Sequence, residues 1–495
     1  MPEVQSLIPL YAVLASLAAA PLIAISWAPN VREFWTFLAA ALKLALVLSM
    51  LPVVLAGHTI YCPLVRVLPG LELAFRVDAL GMIFAVVASS LWIVTSAYSV
   101  GYMRGLAEHA QNRYFTFFAL ALSSTLGVAF AGNLLTLYLF YEMLSFATYP
   151  LVTHHQDAEA RSSGRTYLMY IVGGSIALVL PAMIICYAGA GTLDFTSQGF
   201  MAGHFSREAT LVLLLMLVMG FAKVALMPMH SWLPAAMVAP TPVSALLHAV
   251  AVVKAGAFSV VRVMTGVFGV NLLADLNLGV LVGYIASFTL IAASLIALSQ
   301  DGLKRRLAFS TIGQLAYIVL GLSLLSPDGM FGGMMHIAMH AFGKITLFFC
   351  AGAIFVATGK KNISEMTGLG RKMPLTMAAF FIGAISVTGL PPTGGFLSKW
   401  YLLLGTLQAH QLVFLVVLLF SSLLNAAYFL PIVYRAFFIT RAEDEHGPGL
   451  EEAPMWCLVP LLITAAVSVV LFFYPEPFYD LAKLAVAQVT GASLP

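Results

Sequence analysis

Charge is scarce in this chain. Asp, Glu, Lys and Arg make up 9% of its 495 residues, 61% are hydrophobic, and mean hydropathy is +0.97. So little polar surface excludes a soluble globular protein of this length. Cysteine is scarce as well: Cys62, Cys186, Cys350 and Cys457 stand far apart, without metal-ligand spacing. No cluster suits an iron–sulfur, haem or nucleotide site. We therefore expect no cofactor, no metal and no catalytic residue here, and any redox chemistry belongs to another chain. A net charge of +3 with no basic tract excludes a nucleic-acid partner. The N-terminal Met-Pro-Glu-Val-Gln-Ser lacks the positive region of a cleaved signal, so the first apolar run is expected to stay in the mature protein.

What is abundant is apolar length. Fourteen stretches are long enough to cross ~30 Å of hydrocarbon: near 5–27, 34–56, 80–100, 114–131, 133–153, 167–190, 210–230, 243–266, 277–299, 308–325, 329–357, 375–408, 411–439 and 455–475. The reading is an all-α polytopic membrane protein. Two stretches carry breaks, the seventh at Met227-Pro228-Met229-His230 and the twelfth at Gly389-Leu390-Pro391-Pro392-Thr393-Gly394-Gly395. Proline removes a donor and crowds the carbonyl four residues back, which should free carbonyls at Val224, Val387 and Thr388. Non-helical backbone at membrane depth survives only where protein or a wet cavity covers it, so both breaks are expected to point inward.

The links give an orientation. Fourteen basic residues fall on one side: Arg32, Arg104, Arg113, Arg161, Arg165, Lys304, Arg305, Arg306, Lys360, Lys361, Arg371, Lys372, Arg435 and Arg441. Five fall on the other: Arg66, Arg76, Arg207, Arg262 and Lys483. The positive-inside rule makes the first side cytoplasmic and puts both termini outside a cell (plasma) membrane. The two breaks lie five stretches apart, which predicts a repeated five-helix unit. An odd repeat must be inverted. The expected units are 1–109 (three helices), 110–270 (first repeat), 271–440 (second repeat) and 441–495 (last helix and tail).

The remaining five basic residues lie inside apolar stretches, and all are lysine: Lys43, Lys223, Lys254, Lys344 and Lys399. An ionisable group at mid-bilayer costs roughly 2.5–3.5 kcal/mol on insertion scales. Arginine never releases its proton, whereas a desolvated lysine can. That choice of cation points to proton movement. Glu142 is the one carboxylate well inside a stretch and should seek a cation, with Lys223 the candidate. The pair is readable as a functional couple or as a static pin between helices. His248 and Lys254 stand six residues apart, about 120° different in azimuth, so they should not face one neighbour. His248 is equally readable as an interhelical hydrogen bond. His336, His340 and Lys344 recur at i, i+4 and i+8 on one face, a natural relay over about 12 Å. Gly332, Gly333 and Gly343 permit close packing or unwinding there. Lys399 follows the twelfth break, where the positive end of a new half-helix is a poor neighbour for an ammonium. Lys43 reads as a snorkelling or locally paired lysine.

These residues carry a resemblance. Tyr141–Ser145, Ala222–Pro234, Ala239–Gly256, His336–Phe348 and Gly389–Lys399 resemble the proton-pumping membrane subunits of respiratory complex I and of Mrp-type multisubunit cation/proton antiporters. The resemblance implies a coupling pair at Glu142 and Lys223, a relay through Lys254, His336, His340 and Lys344, and a terminal exchange group at Lys399. The middle pumping subunit of complex I carries glutamate at the last position, and the largest subunits continue past a fourteenth helix. Lysine at 399 and a sequence ending at Pro495 make the chain most similar to the D subunit of an Mrp antiporter. The implied partners are protons, the lipid bilayer and other membrane subunits. The alternatives left open are a pump subunit of a complex I-like or hydrogenase-type redox complex, and a self-sufficient transporter. Scarce interior carboxylates speak against a sodium cage in this chain.

Overall fold

The computed structural model describes residues 3–68, 70–439 and 450–491. Arg441 lies outside them. The fold is all-α and polytopic. Among the described residues nine helices are long and apolar enough to cross a membrane, from Pro29–Leu55 to Met455–Phe473, and Ile8–Ala24 and Pro374–Thr388 are shorter apolar helices.

Local chemistry sets many of the ends. Pro29, Pro327 and Pro374 open helices at a position whose amide would have no partner. Asp78 caps Ala79–Gly105 by accepting from the Gly81 amide at 2.9 Å, and Asn133 caps Leu134–Val152 by accepting from Thr136 at 2.8 Å. Gly359, at φ 70°, closes Pro327–Thr358.

The centre of the molecule is the eleventh stretch, one unbroken helix, Pro327–Thr358, about 48 Å long at 1.5 Å per residue. Every residue from Gly329 to Ile354 is buried. Around it pack Leu303–Ser323, Gly394–Gln408, Pro374–Thr388, Met455–Phe473 and the eighth stretch, Thr241–Phe268, itself wholly buried. A helix apolar all round belongs in the interior. Pro29–Leu55, Ala158–Ala190 and Leu412–Phe438 form the periphery and are mostly uncovered.

The glycines of the central helix serve close packing without unwinding. A Cβ on Gly332 would stand 2.7 Å from the Leu402 amide, and one on Gly333 2.9 Å from the Ile318 carbonyl.

Two elements depart from the sequence reading. The link after the second stretch is a small sheet in the order β1-β2-β3, with β1 (Glu3–Gln5) parallel to β2 (Thr59–Leu68) and β2 antiparallel to β3 (Leu71–Val77). The expected C-terminal tail is largely a helix, Glu476–Thr490, packed on Pro327–Thr358 and Ala79–Gly105.

The links gather at two ends. Glu108, His155, Ala239, Gly302, Lys304, Arg305, Lys360 and Lys361 line one cavity of about 400 Å³. Glu3, Thr59, Arg76, Asp78, Gly132, Phe195 and Arg262 line another of about 350 Å³.

Candidate functional site: a buried chain of lysines and histidines

The seventh stretch leaves the helix earlier than its proline predicts. Arg207–Gly220 ends at Phe221, a short turn covers Ala222–Val224, and Ala225 sits at φ 57°. The Ala222 carbonyl accepts from the Ala225 amide at 2.9 Å and from Trp232 Nε1 at 3.0 Å. Lys223, fully buried, sits in this turn. Its amide donates to Tyr141 Oη at 3.0 Å, and its Nζ donates to the Tyr141 carbonyl at 2.7 Å and to Ser145 Oγ at 2.6 Å. The ammonium also lies 3.2 Å from the Tyr141 ring centroid.

Glu142 makes no ion pair with Lys223, contrary to the sequence reading. Tyr141 and Ser145 share a helical face, and Glu142 is about 100° further round. It adjoins an exposed stripe of Leu139, Met143 and Phe146, and neither of its oxygens has a hydrogen-bond partner in this chain.

The eighth stretch hides a second irregularity. Thr241–Ala245 passes into a π-helical turn, Leu246–Val250, and Ala251 breaks at φ −122° before Val252–Arg262 resumes. Wider π turns change the azimuth between His248 and Lys254, so both face Pro327–Thr358 and the 120° argument fails. His248 packs on the Phe348 ring at 4.6 Å, and Lys254 Nζ lies 2.7 Å from His340 Nδ1. The expected interhelical hydrogen bond of His248 is not made: neither ring nitrogen has one.

Gly256 brings this helix onto the Lys223 turn. A Cβ there would overlap the Val224 amide and the Lys223 carbonyl carbon and stand 2.7 Å from the Lys223 Cβ. Gly256→Val is therefore expected to cost about 1–3 kcal/mol by overpacking and to displace Lys223. Thermal unfolding and transport assays check this, and wild-type values in both would contradict the packing role.

From His340 the chain continues to His336, the rings stacked at 5.6 Å and 18°. His336 Nδ1 meets Ser398 Oγ at 2.8 Å and Nε2 meets Gln314 Oε1 at 3.0 Å. Lys344 leaves this line. Its Nζ donates to Ser310 Oγ at 2.8 Å, Ser310 also accepts from Tyr428 Oη at 3.1 Å, and Tyr428 bonds Asn425. The stripe is thus one face with two destinations.

Lys399 turns away from the start of its own half-helix, Gly394–Gln408. Its Nζ donates to the Thr388 carbonyl at 3.0 Å, at the negative end of Pro374–Thr388, and lies 4.2 Å from the Tyr317 ring centroid. The freed Thr388 carbonyl of the sequence reading is thereby used. The break points inward only in part: Thr393, Gly394 and Gly395 are buried, whereas Leu390, Pro391 and Pro392 are exposed, as is Pro228 of the seventh. The prolines have no amide to satisfy, and Leu390 donates to the Ile385 carbonyl at 2.9 Å, so the uncovered turn lacks stranded donors.

Buried arginine exists after all. Arg262 grips Asp78 through two 2.5 Å contacts, and Arg32 meets Glu33 at 3.1 Å. The contrast is instructive: these arginines have carboxylate partners, and none of the five interior lysines has one among the described residues. Lys43 is locally paired rather than snorkelling; fully buried, it donates to the Leu122 carbonyl at 2.8 Å beside the Trp92 ring.

Residues 131–425 match the transmembrane family described as NADH:quinone oxidoreductase/Mrp antiporter. The NADH-quinone oxidoreductase subunit N of Desulforudis audaxviator is 35% identical over 422 residues, covering 82% of this chain and 83% of that one. A Na(+)/H(+) antiporter subunit of Alkalihalophilus pseudofirmus is 31% identical, over 82% of this chain but only 53% of its own greater length. A chain of the Mrp complex from Dietzia sp. has the same fold, with a TM-score of 0.87 over 98% of both chains at 21% identity. The family match and these relatives make the chain an antiporter-like, proton-translocating membrane subunit. The chain belongs to the NADH:quinone oxidoreductase/Mrp antiporter transmembrane family.

Proposed function

We propose that this chain is the D-type subunit of a multisubunit monovalent cation/proton antiporter and carries protons along Lys223, Lys254, His340, His336 and Lys399. The observation that carries this reading is the 2.7 Å contact of Lys254 with His340. Two cations do not share such a contact, so the pair holds no more than one excess proton between two helices. Lys344, with Ser310 and Tyr428, forms a side branch, and Glu142 couples the chain to a neighbour. The exposed Leu139, Met143 and Phe146 beside Glu142, and the uncovered turn at Leu390–Pro392, are the faces that partner membrane subunits cover. His248 Nδ1 and Nε2, His340 Nε2, Gln314 Nε2 and Asn425 Nδ2 have no hydrogen-bond partner in the protein, and such buried atoms are where ordered water bridges.

A second reading is favoured by the subunit N relative: a proton-pumping subunit of a complex I-like or hydrogenase-type redox complex. Purifying the intact complex separates the two. Small hydrophobic companions alone support the antiporter, and iron–sulfur companions support the redox pump.

The proposed topology has fourteen crossings, inverted repeats over 110–270 and 271–440, and both termini outside the plasma membrane. It is supported by the gathering of Lys304, Arg305, Lys360 and Lys361 at one end and of Glu3, Arg76 and Arg262 at the other. A cysteine placed at Arg305 or Lys361 should resist labelling from outside intact cells. Efficient labelling there overturns the topology.

A further inference from the structure

Two links that the sequence keeps 45 residues apart meet at the basic end of the molecule. Glu108 and His109 precede the helix Gln111–Ala129, and His154 and His155 follow Leu134–Val152. One oxygen, Glu108 Oε2, lies 3.8 Å from His109 Nδ1, 3.8 Å from His154 Nε2 and 3.9 Å from His155 Nδ1. These separations are too long for hydrogen bonds. They are close to the spacing of about 3.3–3.4 Å between tetrahedral ligands held 2.0–2.1 Å from one zinc ion.

The orientation of the groups is also that of a ligand set. His154 is fully buried, and neither of its ring nitrogens has a hydrogen-bond partner. His109 Nε2 meets the His154 carbonyl at 3.1 Å, which places its proton there and leaves the Nδ1 lone pair facing Glu108. A carbonyl that fixes the tautomer of an imidazole in this way is the usual support of a metal-bound histidine. Arg113, the nearby cation, donates to the same carbonyl at 2.7 Å, leaving the carboxylate free. Glu108 and His155 line the 400 Å³ cavity at this end, which gives an ion a way in.

We propose that Glu108, His109 and His154, whose ligand atoms all lie within 4.8 Å of one another, form a binding site for a divalent transition-metal ion of the zinc class, with His155 beside them. Two imidazoles and one carboxylate, the fourth position falling to His155 or water, suit zinc or cobalt and disfavour magnesium and calcium, which take oxygen shells. The ion ties the link before one helix to the end of Leu134–Val152, the helix whose Tyr141 and Ser145 hold Lys223. Its binding therefore restrains the element that positions that lysine.

The test is a Co2+ titration of the untagged protein in its purified complex, read by the visible absorption of four-coordinate cobalt and reversed by Zn2+. The wild type is expected to bind one Co2+ more per chain than His154→Ala. Because His154 is buried and its loss can disturb folding, His109→Ala, at a half-exposed position, is the second variant. It should weaken binding on the order of 10–100-fold. Absence of that cobalt signal in the wild type, or equal binding by wild type and His109→Ala, overturns the site.

Discussion

Replacing Lys223 by alanine is expected to reduce ion transport to background while leaving the protein inserted. The lysine bonds neutral oxygens at Tyr141 and Ser145, so its removal breaks hydrogen bonds and no direct ion pair. The stability cost should be about 1.5–3 kcal/mol, the range for hydrogen bonds to a charged group. A buried ion pair broken on one side would cost about 3–5 kcal/mol. Glu142→Gln should also abolish transport, with almost no loss of stability, because its oxygens bond nothing within the chain. Transport in vesicles and thermal unfolding, measured on both variants, separate coupling from pinning. Wild-type transport in a well-expressed Glu142→Gln variant removes Glu142 from the mechanism.

The second large effect contrasts two buried lysines that both donate to backbone carbonyls. Lys399→Ala should destroy proton transport, because Lys399 Nζ faces the Tyr317 ring, which also packs against His336 at the end of the line. Lys43→Ala should leave transport largely intact: its ammonium meets only the Leu122 carbonyl and the Trp92 ring, remote from any titratable partner. Its cost is stability alone, again about 1.5–3 kcal/mol. Equal transport losses in the two variants would show that any buried lysine is needed for folding, and the distinction drawn between them would fail.

The breaks at Pro228 and at Pro391-Pro392 were legible because proline acts on its own backbone, whatever surrounds it. The interior lysines were legible because their insertion cost does not depend on context. The π turn at Leu246–Val250 was not: no proline or glycine lies within it, and packing on the central helix imposes it. That turn defeated an azimuth argument built on regular helix geometry. The Lys254–His340 contact joins residues 86 apart in sequence, and no local pattern reports such a pairing. Nor does spacing report that Lys223 bonds Tyr141 and Ser145 rather than Glu142. The hairpin at Thr59–Val77 does leave a signal, β-branched and aromatic residues around Pro69-Gly70, too short and too polar to resemble a membrane span. The histidine cluster at Glu108, His109, His154 and His155 left only two adjacent pairs in separate links, invisible until the fold joins them.

The central claim is that the interior lysines serve by exchanging protons and not as fixed charges. Arginine keeps the charge but cannot release the proton. The most direct measurement is proton flux in vesicles carrying the intact complex with Lys254→Arg or Lys399→Arg, each checked for insertion and assembly. The account predicts flux at background in both. Wild-type flux in either variant would contradict it, because a permanent cation would then suffice.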